Sequence, residues 1–220
     1  MSFVDRSDAG RRLAKALARY RDQDPVVLAL PRGGVPVAAL VADALGAELD
    51  LVMVRKIGAP FDPELAMGAV VDGAEPITVR NEDVIAMVRA DPATFDRIRD
   101  RELAEIRRRR DVYLGQRGLA AIAGRTAIVI DDGVATGATM RAALRAVRAR
   151  APKTLVLAAP VAARDTLEAL RPEADAVVCL ESPTVFGGVG QFYANFGQVS
   201  DQTVIDILAS HPLRPGGSKS

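Results

Sequence analysis

Residues 127–139 read AIVIDDGVATGAT: four apolar residues, two adjacent acids, and a small-residue turn leading into MRAALRAVRAR. So short an apolar run predicts a strand buried on both faces, with a helix after the turn. Gly133, Ala135, Gly137 and Ala138 let backbone amides approach a ligand closely, while Thr136 and Thr139 add hydroxyl donors. The helix begins inside this turn, so its unpaired amides and the positive end of its dipole favour an anion there. These donors suit a phosphate monoester, whereas Asp131 and Asp132 accept hydrogen bonds from hydroxyls. Phosphate donors beside paired carboxylates point to a phosphorylated sugar with a diol. A plainer reading, in which the acids cap the helix and the glycines only turn the chain, remains open at this level.

Working outward, the strand–turn–helix pattern recurs. Residues 26–30 (VVLAL) predict a strand, Gly33 and Gly34 a turn, and Val35–Leu45 a helix. Leu49–Val54 predicts a further strand that ends at Arg55 and Lys56, before a loop-like IGAPFDPE at 57–64. Residues 7–21 and 92–114 have helical spacing, and residues 66–80 can form a short strand pair. TLVLAAPV, ARDTLEAL and AVVCL continue as strand, helix and strand, and residues 200–210 form a closing helix. Strands alternating with helices predict an α/β fold, with a mainly parallel sheet covered on both faces and its site at the carboxyl edge. One domain over 1–212 is expected, with hood elements near 1–20 and 181–200 and a disordered tail at 213–220.

Composition narrows the function. The chain has 220 residues, is 49% hydrophobic and 26% charged, and carries a net charge of +1, so no global field favours nucleic acid or a membrane surface. One cysteine, Cys179, and one histidine, His211, exclude a disulfide framework or a His/Cys zinc site. The opening MSFVDRSDAGRR lacks the apolar core of a signal peptide, and no apolar run is long enough to span a bilayer; the expected location is cytoplasmic. Neither a GxxxxGK[ST] loop nor a dinucleotide fingerprint is present, the GGVG at 187–190 lacking the required context.

The 127–139 segment resembles the phosphoribosyl pyrophosphate signature of the type I phosphoribosyltransferases, which runs apolar strand, two acids, two apolar residues and a T-G-x-T turn. Gly133 is the one departure, standing where that family usually has a larger apolar residue. LPRGGVPVA at 30–38 resembles the family's pyrophosphate loop, and Arg55 and Lys56 fall where its flexible catalytic loop begins. About two thirds of the chain then follows the family's order. The resemblance implies displacement of pyrophosphate from the anomeric carbon of phosphoribosyl pyrophosphate by a nitrogenous base. Mg2+ would be held mainly through substrate oxygens, with no direct protein ligand.

In that reading Asp131 and Asp132 hold the ribose. Gly133, Val134, Ala135, Thr136, Gly137, Ala138 and Thr139 receive the 5′-phosphate. Arg32, Gly33 and Gly34 meet the pyrophosphate, with Arg55 and Lys56 stabilising its departure. Phe186, Phe192, Tyr193 and Phe196 place four of nine aromatics in eleven residues, and a flat base could stack on Phe186, Phe192 or Tyr193. A small cluster sealing the sheet is the alternative, and neither purine nor pyrimidine is favoured. A role in nucleotide salvage and a homodimer or higher homo-oligomer are further expectations.

Residues 97–110 contain seven arginines, but Asp96, Asp100, Glu102, Glu105 and Asp111 interleave with them, so a solvated or subunit-contacting helix is expected rather than a nucleic-acid surface. Two rivals to the enzyme remain: a sensor of the same ligand that does not turn it over, and an assembly protein acting through the arginine-rich helix.

Overall fold

The computed structural model describes residues 2–71, 76–115 and 117–213. Five strands, β1 (Pro25–Ala29), β2 (Glu48–Leu51), β6 (Thr126–Ile130), β7 (Thr154–Val161) and β8 (Ala176–Glu181), form a parallel sheet in the order β2-β1-β6-β7-β8. Every residue of β1 and β6 is buried, as a central parallel strand covered on both faces demands.

Alternate residues supply two cores. Val27, Ala29, Ile128 and Ile130 face one side, against α1 (Arg6–Leu17) and α2 (Gly34–Leu45). Val26, Leu28, Ala127 and Val129 face the other, against α5 (Ala138–Ala149). The β1–α2–β2 crossover therefore leaves in one direction and the β6–α5–β7 crossover in the other. Between β1 and β6 the strand order reverses, which opens a crevice at their carboxyl ends. The α6 helix (Arg164–Leu170) joins β7 to β8, and α7 (Asp201–Ser210) packs against α2.

A second sheet departs from the sequence expectation. Leu49–Val54 is not one strand: β2 ends at Leu51, and β3 (Val54–Ala59) starts an antiparallel three-stranded sheet with β4 (Asp62–Val71) and β5 (Ile77–Arg80). Arg55 and Lys56 thus lie within a strand, and the stretch at 57–64 is largely the end of β3, a turn and the start of β4 rather than a loop. The apolar run is continuous because both sheets bury their ends: Leu51, Val52 and Met53 are all nearly inaccessible. Ala69 and Val71 of the small sheet join the core under α5, whereas Ile57, Met67 and Val70 pack with Phe95 and Ile98 of α4 (Pro92–Leu114). The short α3 (Glu82–Val88), not foreseen, follows β5, and its Asn81 cap accepts from the Val84 amide.

The two segments expected to form a hood meet each other. Ser2 and Phe3 donate backbone hydrogen bonds to Phe192 O at 3.0 and 2.9 Å, and Ala194 returns one to Phe3 O at 2.8 Å. The tail at 214–220 lies outside the described residues, while Leu213 packs against the second core.

Candidate active site

The crevice between β1 and β6 is closed at its base by two glycines. Gly33 has an ordinary φ of −59°, so its requirement is one of space: a Cβ there would lie 2.1 Å from Asp132 Oδ2. At Gly34 a Cβ would meet Ile130 O at 2.7 Å and Asp131 Cα at 2.9 Å. The β1–α2 turn, with its cis Pro31–Arg32 peptide bond, is therefore pressed directly onto the two acids that end β6. The predicted pyrophosphate loop and the predicted acid pair are brought together.

The two acids differ. Asp131 retains part of its surface to solvent, yet protein hems in its carboxyl, and its pKa is raised well above the usual carboxylate value. Burial is the main cause and the neighbouring Asp132 charge the second. Asp132 is buried at 8% exposure, and Arg6 of α1 grips it through Nε and Nη2, both 2.8 Å from Oδ2. The same guanidinium donates from Nη1 to Gly197 O at 2.6 Å and lies 4.0 Å from the centre of the Phe196 ring. Tyr193 donates its hydroxyl to Asp132 O at 2.6 Å; burial, then the Asp132 charge, pushes its pKa upward. Arg6, Arg32, Gly33, Asp132 and Phe196 line a cavity of about 390 Å³. Arg32 also reaches Asp201, at 3.5 Å.

Beyond the acids, Val134 is pinned to the end of β7: its amide donates to Val161 O at 2.9 Å, and its carbonyl accepts from Ala163 at 3.0 Å. That amide is thus engaged within the protein. Ala135 and Thr136 are exposed, Ala138 and Thr139 open the first turn of α5, and Gly137 caps it with φ +76°. Thr166 of α6 braces the turn by donating to Ala135 O at 2.7 Å. At Gly133 the close neighbour is Val189, in the turn after β8, whose Cγ1 would stand 2.4 Å from a Cβ. The departure from the family signature has a physical counterpart: Val189 fills the space that a larger residue would take.

The predicted aromatics divide. Phe186 and Phe192 stack on each other, with centroids 5.3 Å apart, and pack beside the cluster of Phe3, Ala9, Val161 and Tyr193. Tyr193 is buried, and Phe196 meets the 390 Å³ cavity. Arg55 and Lys56 line a different cavity, of about 710 Å³, which Thr139 also borders. Sequence reasoning missed Arg6; its helix carries no local signal that one arginine would cross to the sheet edge.

No described helix is long and apolar enough to cross a membrane. Among the described residues no group of three or more His, Cys, Asp or Glu could hold a metal.

The chain is similar to known proteins in sequence and in fold. The chain is 45% identical over 206 residues to the protein named "Putative phosphoribosyl transferase Rv0571c" of Mycobacterium tuberculosis strain H37Rv, covering 94% of this chain and 46% of that one. Its counterpart in strain CDC 1551 matches equally, so the chain spans about half the length of these relatives. The crystal structure of TT1426 from Thermus thermophilus superposes with a TM-score of 0.84 at 44% identity, covering 96% of this chain and all of that one. The model of the phosphoribosyl transferase domain matches residues 5–196, and the chain belongs to that family.

Proposed function

We propose that this chain transfers the 5-phosphoribosyl group of phosphoribosyl pyrophosphate to a nitrogenous base and releases pyrophosphate. One observation carries the reading: Gly33 and Gly34 admit the β1–α2 turn against Asp131 and Asp132, so an anion loop and a diol-accepting acid pair share one crevice. The turn at 133–139, opening α5 beside that crevice, supplies the second anion site that a sugar 5-phosphate requires.

In this scheme the C1–O bond to pyrophosphate breaks as a C1–N bond to the base forms, and the base loses its proton to solvent. Asp131 and Asp132 orient the ribose hydroxyls, and Ala135–Thr139 hold the phosphate. Arg32, Arg55 and Lys56 offset the charge that builds on the leaving group. No protein nucleophile is called upon; burial pushes the Cys179 thiol up to about 11. The donor set fits Mg2+, a hard cation that prefers oxygen and retains substrate or water ligands, with Asp131 and Asp132 as the nearby carboxylates. When bound, it adds positive charge at the pyrophosphate and ribose oxygens. Phe196 and Arg6 replace Phe186 and Phe192 as the side chains best set to flank a base, since both meet the cavity beside Asp132.

The test is pyrophosphate release from phosphoribosyl pyrophosphate with Mg2+, against purine and pyrimidine bases. Base-dependent release is expected. Binding without release for any base would favour the sensor, and absence of binding would overturn the assignment.

A further inference from the structure

The chain approaches the crevice a third time, at the start of α1. Ser2 and Phe3 are tied by backbone hydrogen bonds to Phe192, and Asn195 donates to Val4 O at 2.9 Å. Asp5 then caps the helix, its side chain accepting from the Asp8 amide at 2.8 Å. Ala9, Leu13 and Leu17, spaced four residues apart, are fully buried on one face of α1. Backbone pairing before Arg6 and a capped, buried helix after it fix where this arginine stands.

Its guanidinium bridges two walls of the 390 Å³ cavity. Nε and Nη2 both reach Asp132 Oδ2 at 2.8 Å, whereas Nη1 donates to Gly197 O at 2.6 Å and the group lies 4.0 Å from the centre of the Phe196 ring. The side chain is only 13% exposed, so solvent and salt screen the pair little. Both contacts with Asp132 end on Oδ2, which leaves the Oδ1 lone pairs outside the fork; that oxygen lies beside Gly33, 2.9 Å from where a Cβ would stand. A planar fork on one oxygen constrains the carboxylate as a point charge cannot. The other polar groups around Asp132 act differently: Tyr193 donates to its backbone oxygen, and Arg32 pairs with Asp201 at 3.5 Å. Burial, then the Asp132 charge, raises the Asp131 pKa, and Arg6 opposes both.

We propose that Arg6 is a positioning residue for the sugar: by holding Oδ2 of Asp132 it presents Oδ1 to a ribose hydroxyl, and through Gly197 and Phe196 it fastens the 192–197 segment to the same acid. The inference rests on the proposed function for the role of Asp131 and Asp132, and adds to it a residue that lies in none of the strand–turn–helix units.

Ribose 5-phosphate and 2-deoxyribose 5-phosphate are titrated by calorimetry into the unaltered protein, Arg6→Ala, Arg6→Lys, Asp132→Asn, the Arg6→Ala/Asp132→Asn pair and Arg11→Ala, a change at an exposed position of the same helix. Arg6→Ala should weaken ribose 5-phosphate binding about 10-fold or more, as loss of a hydrogen bond to a charged group implies. The deoxy sugar, which offers the acids one hydroxyl fewer, should lose distinctly less. Arg6→Lys should recover part of the loss, since an ammonium keeps the charge but not the fork. Adding Asp132→Asn to Arg6→Ala should bring little further loss, because both act through one contact. Arg11→Ala should match the unaltered protein. A folded Arg6→Ala with full affinity overturns the inference, as do additive losses in the double variant or equal losses on the two sugars, which a merely structural role would give. Should Arg6→Ala fail to fold, Arg6→Lys decides by the same comparison: a loss larger for the ribose sugar upholds the inference, and any other pattern overturns it. In those cases the proposed function still stands on pyrophosphate release by the unaltered protein; an unaltered protein that binds neither sugar takes both down.

Discussion

The 390 Å³ and 710 Å³ cavities are built on opposite principles. At the carboxyl edge of the parallel sheet, the Asp131–Asp132 pair is packed to contact by glycine and clamped by Arg6 and Tyr193. Across the turn, the antiparallel hairpin and α4 frame a larger, cation-lined cavity, where Phe61 at the hairpin tip is 99% exposed. The acid side, closed only in the packing around its carboxylates, owes its shape to the absence of side chains; the cation-lined side, the open one in that sense, owes its chemistry to the long side chains it presents. Neutral hydroxyls can be read by fixed acids in tight quarters, whereas a multiply charged group is better met by flexible cations that keep their stems against apolar surface.

The harshest way to break this contrast is to put volume on the closed side. Gly33→Ala sets a methyl against an Asp132 carboxylate that Arg6 already holds. Displacing the acid by the order of 1 Å should lower phosphoribosyl pyrophosphate turnover about 100-fold, with the circular dichroism spectrum unchanged. A mild effect would mean that the acid pair tolerates movement and that the tight packing is incidental.

Asp131→Asn sharpens the same point through stability. The folded-state pKa of Asp131 is raised, so between its ordinary value of 3.8 and the raised value the native state binds more protons than the unfolded chain. Stability therefore falls as pH rises through that window, and above it the buried Asp131 carboxyl is a cost. Asparagine removes it: the variant should melt higher than the unaltered protein at pH 7 and lose part of the decline above pH 4, while ribose 5-phosphate binding weakens about 10-fold or more. A lower melting point at pH 7 would place the carboxylate among the stabilising groups instead.

How far the sequence could carry this comparison differs for its two halves. The β1–α2 and β6–α5 units were legible because each is local: an apolar run, a small-residue turn and a helix within some twenty residues. The acid pair and the glycines belong to those units and could be named. Arg6 could not, because its meeting with Asp132 depends on the packing of α1 over the sheet, 126 residues away along the chain. The hairpin was hidden by the apolar run through Val52 and Met53, which reads identically whether one sheet or two are crossed. The acids interleaved along α4 concealed Arg97 and Arg101, which line the 710 Å³ cavity; their four-residue spacing was the available signal, and it says nothing of what the face meets.

The approach of Val189 to Gly133 offers a test of whether the closed side is one packed unit. Gly133→Ala should destabilise by about 1–3 kcal/mol through overpacking against Val189, measured by urea unfolding. Adding Val189→Ala should restore most of that loss, giving a non-additive cycle. Additive effects would show that the segment around Val189 yields freely at this point, and the contrast with the open side would weaken.

The smallest effect belongs to the α4 surface outside both cavities. Glu105 is held down to about 2 by hydrogen bonds from Arg108 and then Arg109. Its folded-state value lies below the ordinary 4.5, so any stability it contributes is present above that pH and is lost as pH falls toward 2. The pair lies at the helix surface, with Arg108 largely exposed and Glu105 partly so, where solvent and salt screen such pairs. Glu105→Gln should therefore leave the urea midpoint unresolved from that of the unaltered protein at pH 7 and about 150 mM salt, and change the acid limb only slightly. A large shift would mean that the α4 surface pairs carry stability, and would place the arginine-rich helix closer to the closed side in character than its exposure implies.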